Sequence, residues 1–456
     1  MSERSVDVVV IGAGPAGEVC AGRLAEAGLE VAIAEEHLVG GECSFYGCIP
    51  SKALLRPGSL LAETHRVPGV AEAVDGRGLD VRAVLERRDE TIHHLSDDDQ
   101  LPWLEERGIA LERGHARIVG EREVSVGDAT LRARRAVVVA VGTRAALPPI
   151  PGLAEAKPWT NREAVTSEHV PASLVVLGGG TVGVEMAQAY ATLGARVTVL
   201  EAAPRVLARE EPFAGDEVCA GLAEEGVLVR TGVKATAVER RDGAVHVAVE
   251  DDEEVVGEEL LVAVGRRTLT EDLGLEDIGL EGGAPVPTDA TLRVEGHPWL
   301  YAIGDANGRV LLTHMGKYQG RLVADHILGK PIRVRSDGPL SPRVTFTEPQ
   351  VAAVGHTLDS ALEAGLHARA VDVPTEGNAG GSYIGHGAPG TARIVVDEDR
   401  RVLVGATFTG VEVAEALHAA TIAVIGEVAL DDLWHAVPSF PTRSELWLKL
   451  LEAYGL

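Results

Sequence analysis

The sequence predicts an α/β chain in which two similar βαβ modules are followed by an α+β domain, and three observations predict it. The first is an internal duplication: VVVIGAGPAGEVCAGRLAEAGLEVAIAEE, at 8–36, recurs as LVVLGGGTVGVEMAQAYATLGARVTVLEA at 174–202. Gly12, Gly14, Gly17, Gly28 and Glu35 pair in order with Gly178, Gly180, Gly183, Gly194 and Glu201 without a slip. An apolar strand, a glycine turn, a helix, a second turn and a second strand therefore repeat as a unit. The second observation is a shared closing strand, VVVAVG from Val137 to Gly142 and LLVAVG from Leu260 to Gly265. The third is a change of texture from Arg343 onward. There, strand-like runs (Arg393 to Val396, Val402 to Phe408) precede a helix-like stretch from Val411 to Ile425.

Each module carries G-x-G-x-x-G between an apolar strand and a helix, with an acidic residue about 20 positions on, at the end of the next strand. In that context the glycines allow a sharp turn and close backbone approach to a pyrophosphate, which the helix N-terminus attracts through unpaired N–H groups. Glu35 and Glu201 are placed to accept ribose hydroxyls. Both modules are thus expected to be Rossmann-like and to bind dinucleotides. A carboxylate at Glu201 repels a 2′-phosphate and favours NAD(H) over NADP(H), while Arg205, four residues on, keeps NADP(H) possible. Two sites in one chain fit one FAD and one nicotinamide better than two nicotinamides, because hydride transfer between nicotinamides would usually want an intermediary.

The segment after the first module reads Gly40-Gly41-Glu42-Cys43-Ser44-Phe45-Tyr46-Gly47-Cys48-Ile49-Pro50-Ser51-Lys52. Two cysteines five apart, on a helix expected to begin near Cys43, suit disulfide exchange, since a helix N-terminus lowers a thiol's pKa. Metal ligation is the alternative and would need a further ligand pair, which is not found nearby, so no metal is expected. Cys20 and Cys219 lie in helix-like apolar surroundings and read as inert core thiols. Because the cysteines directly follow the first module, that module is expected to hold the flavin.

Composition narrows the partners. The net charge of −27 argues against phosphate-backbone binding and hence against nucleic acid. No stretch approaches about 20 uninterrupted apolar residues, so no membrane partner and a cytoplasmic location are expected.

At this point the chain resembles the pyridine nucleotide-disulfide oxidoreductases, the family of dihydrolipoamide dehydrogenase, glutathione reductase and mercuric reductase. The resemblance covers nearly the whole length and rests on three pieces: Gly12-Ala13-Gly14-Pro15-Ala16-Gly17, the cysteine segment ending at Lys52, and Tyr301-Ala302-Ile303-Gly304-Asp305. It implies a homodimer with an FAD domain split between 1–149 and 283–340, an NAD(P)H domain at 150–282 and a C-terminal α+β dimerisation domain at 341–456. It implies that Cys48 lies against the flavin as the charge-transfer thiolate, that Cys43 meets a small-molecule or thiol/disulfide substrate, and that Asp305 binds the ribityl chain. Lys52 and Glu185 would form an ion pair near flavin N5.

The sequence also departs from the family. Most relatives end in a His-Pro-Thr-x-Ser-Glu pattern whose histidine, from the partner subunit, exchanges protons with the interchange thiol; here Phe440 occupies the histidine position and Glu445 the glutamate position. Losing such an acid–base group typically removes a factor of about 10²–10⁴. His435 lies five residues upstream. Glu42 stands where relatives place a threonine near the FAD phosphates, and Thr181 where glutathione reductase has an aromatic gate. The leading expectation is an FAD-dependent NAD(P)H oxidoreductase that uses the Cys43–Cys48 disulfide and an atypical acceptor. The alternatives are a quinone-type reductase acting directly from flavin, an enzyme like 2-ketopropyl coenzyme M oxidoreductase/carboxylase, and a dinucleotide-sensing flavoprotein that no longer turns over.

Overall fold

The first apolar run becomes the central strand, Ser2–Ile11, of a seven-stranded sheet. The structure, a computed structural model, describes residues 2–74, 76, 78–250 and 253–456. The chain falls into two compact units, one comprising 1–50, 89–145 and 266–338 and the other 51–88, 146–265 and 339–456.

In the first unit, Ser2–Ile11 is flanked in parallel by Val31–Glu35 and Ala129–Val139, and Leu300–Ala302 adds to the far side of Ala129–Val139. Successive residues of the central strand point to opposite faces. Val8 and Val10 pack with Cys20 and Leu24 of the helix Pro15–Glu26, while Val9 and Ile11 pack with Trp299 and Leu300. Burial on both faces explains why these strands read as continuous apolar runs rather than as alternating patterns. The helix Pro15–Glu26 lies against Thr313–Ile327, and the approach is close: a side chain at Gly320 would meet the carbonyl oxygen of Ala16 at 2.6 Å.

The second unit repeats the frame as a four-stranded parallel sheet, Leu228–Thr231, Arg196–Glu201, Ser173–Leu177 and Glu259–Val262. The expected closing strands are present in both copies: Val9 pairs with Val137, and Leu174 with Glu259. The C-terminal part of this unit is a five-stranded antiparallel sheet with Val402–Gly410 at its centre, covered by the helices Val413–Gly426 and Glu445–Tyr454.

Candidate functional site

The two glycine turns are built alike. Gly12 and Gly178 have φ of +101° and +106°, and a side chain on either would meet a backbone oxygen, of Ala140 or Ala263, at 2.5 Å. A side chain at Gly17 or Gly183 would meet the carbonyl oxygen of Gly12 or Gly178 at 2.0 or 1.9 Å. Gly14 and Gly180 differ: each is the N-cap of its helix, neither helix has a side-chain cap, and nothing lies within 4 Å of where a side chain would project. The middle glycine of each turn therefore faces open space at a helix N-terminus, which fits a pyrophosphate.

Glu35 and Glu201 brace these turns identically. Glu35 accepts from the N–H of Ala13 at 2.7 Å and of His37 at 2.8 Å; Glu201 accepts from Gly179 at 2.5 Å and Ala203 at 2.6 Å. A carboxylate has about four lone-pair sites, so each keeps acceptor capacity for ribose hydroxyls.

The cysteine segment hangs from the first turn. The N–H of Gly40 donates to Ala13, Gly41 closes against the Cα of Gly14, and Phe45 is buried as the anchor. The expected single helix is in fact two: Cys43 lies within Gly41–Phe45, and Cys48 opens Cys48–Arg66. The break follows from Tyr46, whose N–H bonds back to Glu42 to end the first helix, and from the Gly47 bend. Cys43 and Cys48 are free thiols in side-chain hydrogen-bond contact. The expected lowering of thiol pKa does not hold for Cys43. The bond from Cys48 is the first cause and burial the second that push its thiol up. Cys20 is buried and its thiol is pushed up to about 12 by desolvation, in keeping with an inert core thiol; Cys219 is only half-buried.

Asp305 belongs to the same unit. Thr143 donates to its Oδ2 at 2.6 Å, and burial pushes its carboxyl up despite that bond and the nearby Arg266. Arg266 reaches Thr143 Oγ1 at 2.7 Å and Glu42 Oε1 at 3.3 Å. The pairing of Thr143–Ala145 with Arg266–Thr268 brings these residues together. Gly142 and Gly304 both have positive φ, and Gly304 donates its N–H to Gln319 Oε1 at 2.8 Å.

In the second unit, Lys52 Nζ donates to Glu185 Oε2 at 2.7 Å. Glu185 is 2% exposed, and its other oxygen accepts from the N–H of Phe346 at 2.9 Å. The Phe346 ring lies 4.8 Å from the ammonium, a cation–π contact that the sequence did not foreshadow. Thr181 Oγ1 lies 3.1 Å from Thr345 Oγ1. Gly265 has φ +146° and accepts from Ala146 N–H at 3.0 Å. Phe440 is 76% exposed, His435 is also exposed, and Glu445 opens the last helix with Oε2 buried and unpartnered among the described residues.

The sequence reading also missed Thr313, whose hydroxyl lies 3.4 Å from Cys48 Sγ. Its only local signal is a threonine opening a helix after an apolar run, and no pattern ties it to cysteines about 270 residues away.

Residues 6–320 match the family model described as pyridine nucleotide-disulphide oxidoreductase, and 341–450 match the dimerisation domain of the same family. The chain is 33% identical over 465 residues to dihydrolipoyl dehydrogenase of Thermus scotoductus, covering 99% of this chain and 97% of the relative. It is 29% identical over 444 residues to mercuric reductase of Staphylococcus aureus, covering 96% and 80%. Among solved structures it is similar to the HOCl-induced flavoprotein disulfide reductase RclA of Escherichia coli, with a TM-score of 0.86, 25% identity, and 98% and 99% of the two chains covered. The chain belongs to the class I pyridine nucleotide-disulfide oxidoreductase family and is an FAD-containing enzyme of that family. Its dimerisation domain supports a homodimer. Among the described residues no helix is long and apolar enough to cross a membrane.

Proposed function

We propose that this enzyme passes two electrons from a nicotinamide, NADH in preference to NADPH, to the Cys43–Cys48 disulfide and then to an acceptor, without an imidazole acid–base. The observation that carries this reading is the hydrogen-bonded Cys43–Cys48 pair, hung by Gly40 from the first glycine turn. FAD, when bound, supplies the relay between hydride and electron-pair chemistry. On this reading 1–149 and 283–340 bind FAD, 150–282 bind the nicotinamide, and 341–456 form the subunit interface. Gly12, Gly14, Gly17, Glu35, Gly142, Gly304 and Asp305 hold the flavin nucleotide; Gly178, Gly180, Gly183, Glu201 and Gly265 hold the nicotinamide nucleotide.

The chain's own residues divide the remaining work. By the family resemblance Cys43 is the interchange thiol that meets the acceptor, and Cys48 is the sulfur that would carry charge beside a bound flavin. Lys52, paired with Glu185, would supply a fixed positive charge to a bound flavin. The preference for NADH follows from Glu201, whose carboxylate repels a 2′-phosphate.

Anaerobic titration with NADH tests the reading. Uptake of four electrons with a long-wavelength thiolate–flavin band is expected, falling to two electrons in Cys43→Ser; colourless protein, or uptake of two electrons by the wild type, overturns it. An acceptor screen with disulfides, quinones and Cu(II), on wild type and Phe440→His, then names the acceptor. Cu(II) is included because the E. coli relative has been solved as a Cu(II) complex. Phe440→His is expected to raise disulfide turnover at least tenfold, part of the roughly 10²–10⁴ that a placed acid–base supplies.

A further inference from the structure

Thr313 is the first residue of the 15-residue helix Thr313–Ile327. A threonine at a helix start usually spends its hydroxyl on a cap. Here the N-cap is Leu312 and the helix has no side-chain cap, so the hydroxyl is available for another partner. Its Oγ1 lies 3.4 Å from Cys48 Sγ, and its contact with Cys43 draws that thiol's pKa down; with one proton it donates to one sulfur at a time. The position is held by packing. A side chain at Gly316 would stand 3.1 Å from Ala16 Cβ, and one at Gly320 would meet Ala16 O, so the helix is locked against Pro15–Glu26 one turn beyond Thr313. The first-turn N–H groups of a helix also carry its positive end, which favours negative charge nearby.

We propose that the Thr313 hydroxyl donates to the Cys48 sulfur and is the catalytic hydrogen-bond donor that holds the negative charge of the reduced pair on Cys48. This rests on the disulfide reading given above. Reduction of the pair breaks the Cys43–Cys48 S–S bond with two electrons that originate from the nicotinamide. One proton ends on Cys43, and Cys48 keeps the other electron pair as a thiolate. A hydrogen bond to the charged form favours that form. The Cys48 side chain first, and burial second, push the Cys43 thiol up, while the backbone N–H of Cys48 draws it down.

The test compares Thr313→Val, which keeps the shape and removes the hydroxyl, with Thr313→Ser, which restores it. Both are made in the flavin-loaded Cys43→Ser background, so that Cys48 titrates alone. Two readouts are followed against pH: the long-wavelength thiolate–flavin absorbance, and the rate of Cys48 alkylation by iodoacetamide, read by peptide mass spectrometry. Thr313→Val is expected to move both midpoints up by about one pH unit, a tenfold loss of thiolate below the midpoint, with Thr313→Ser near the parent. Alkylation midpoints that coincide in parent and Thr313→Val, or a shift that Thr313→Ser fails to reverse, overturn the proposal. If the absorbance band is missing throughout while the alkylation midpoint still moves, the donor role stands and the reading that places Cys48 beside the flavin falls.

Discussion

The two glycine turns share backbone, bracing carboxylate and steric demands, yet they differ in the charge carried by the helix that follows. In the first copy Glu18 comes directly after the third glycine; in the second, Val184 holds that place and the carboxylate sits one residue later, at Glu185. Glu185 is paired with Lys52, whereas Glu18 is half-buried and desolvation pushes its carboxyl up to about 7. Lys317 draws it back only in part, and Glu35 raises it further. The turn is set by local geometry and so repeats; the charge on the helix is set by what packs against it and so diverges.

The largest expected effect tests the shared part. Gly17→Ala would drive a methyl into the carbonyl of Gly12, and Gly183→Ala into that of Gly178. The first is expected to purify without flavin or not to fold. The second is expected to stay yellow and remain reducible by dithionite while losing reduction by NADH. A Gly183→Ala protein with normal NADH reduction would break the equivalence of the two turns.

The next effect concerns the second carboxylate. Glu185→Ala removes one partner of a pair and also leaves the Phe346 N–H without its acceptor. The cost belongs near the low end of the roughly 3–5 kcal/mol for breaking a buried pair, because the Lys52 side chain is 34% exposed. Denaturant unfolding at pH 7 measures it.

The first carboxylate acts through pH. The folded chain holds the Glu18 proton more tightly than the unfolded chain, so it binds more protons between the ordinary 4.5 and about 7. Its stabilising contribution is full below 4.5, declines through that window and is gone above about 7, an amount of up to about 3 kcal/mol. Glu18→Gln is expected to flatten that slope in unfolding measured from pH 4 to 8, whereas an unchanged slope would remove Glu18 from the comparison.

The smallest effect sharpens the second copy. Phe346→Leu keeps the backbone N–H on Glu185 but removes the ring from Lys52. A loss of about 0.5–1 kcal/mol is expected at this partly exposed site, with Phe346→Tyr close to wild type.

What the sequence determined by itself is everything that depends on neighbours along the chain. The repeated glycines, the bracing acids one βαβ unit on, the cysteine spacing and Phe440 in place of a histidine were all legible, because turns, helix starts and strand burial leave periodic marks. Even there a local detail was misread: the cysteines lie on two helices because Tyr46 and Gly47 interrupt the run. What only the tertiary structure decided is who meets whom across long separations. Thr313 reaches Cys48 because one helix locks onto another through Ala16, Gly316 and Gly320. Arg266 reaches Thr143 because two short strands pair, and Phe346 meets Lys52 because its N–H is held by Glu185. Such contacts arise from the close packing of apolar faces, and a threonine or an arginine carries the same letter whether packing turns it toward a thiol or toward water.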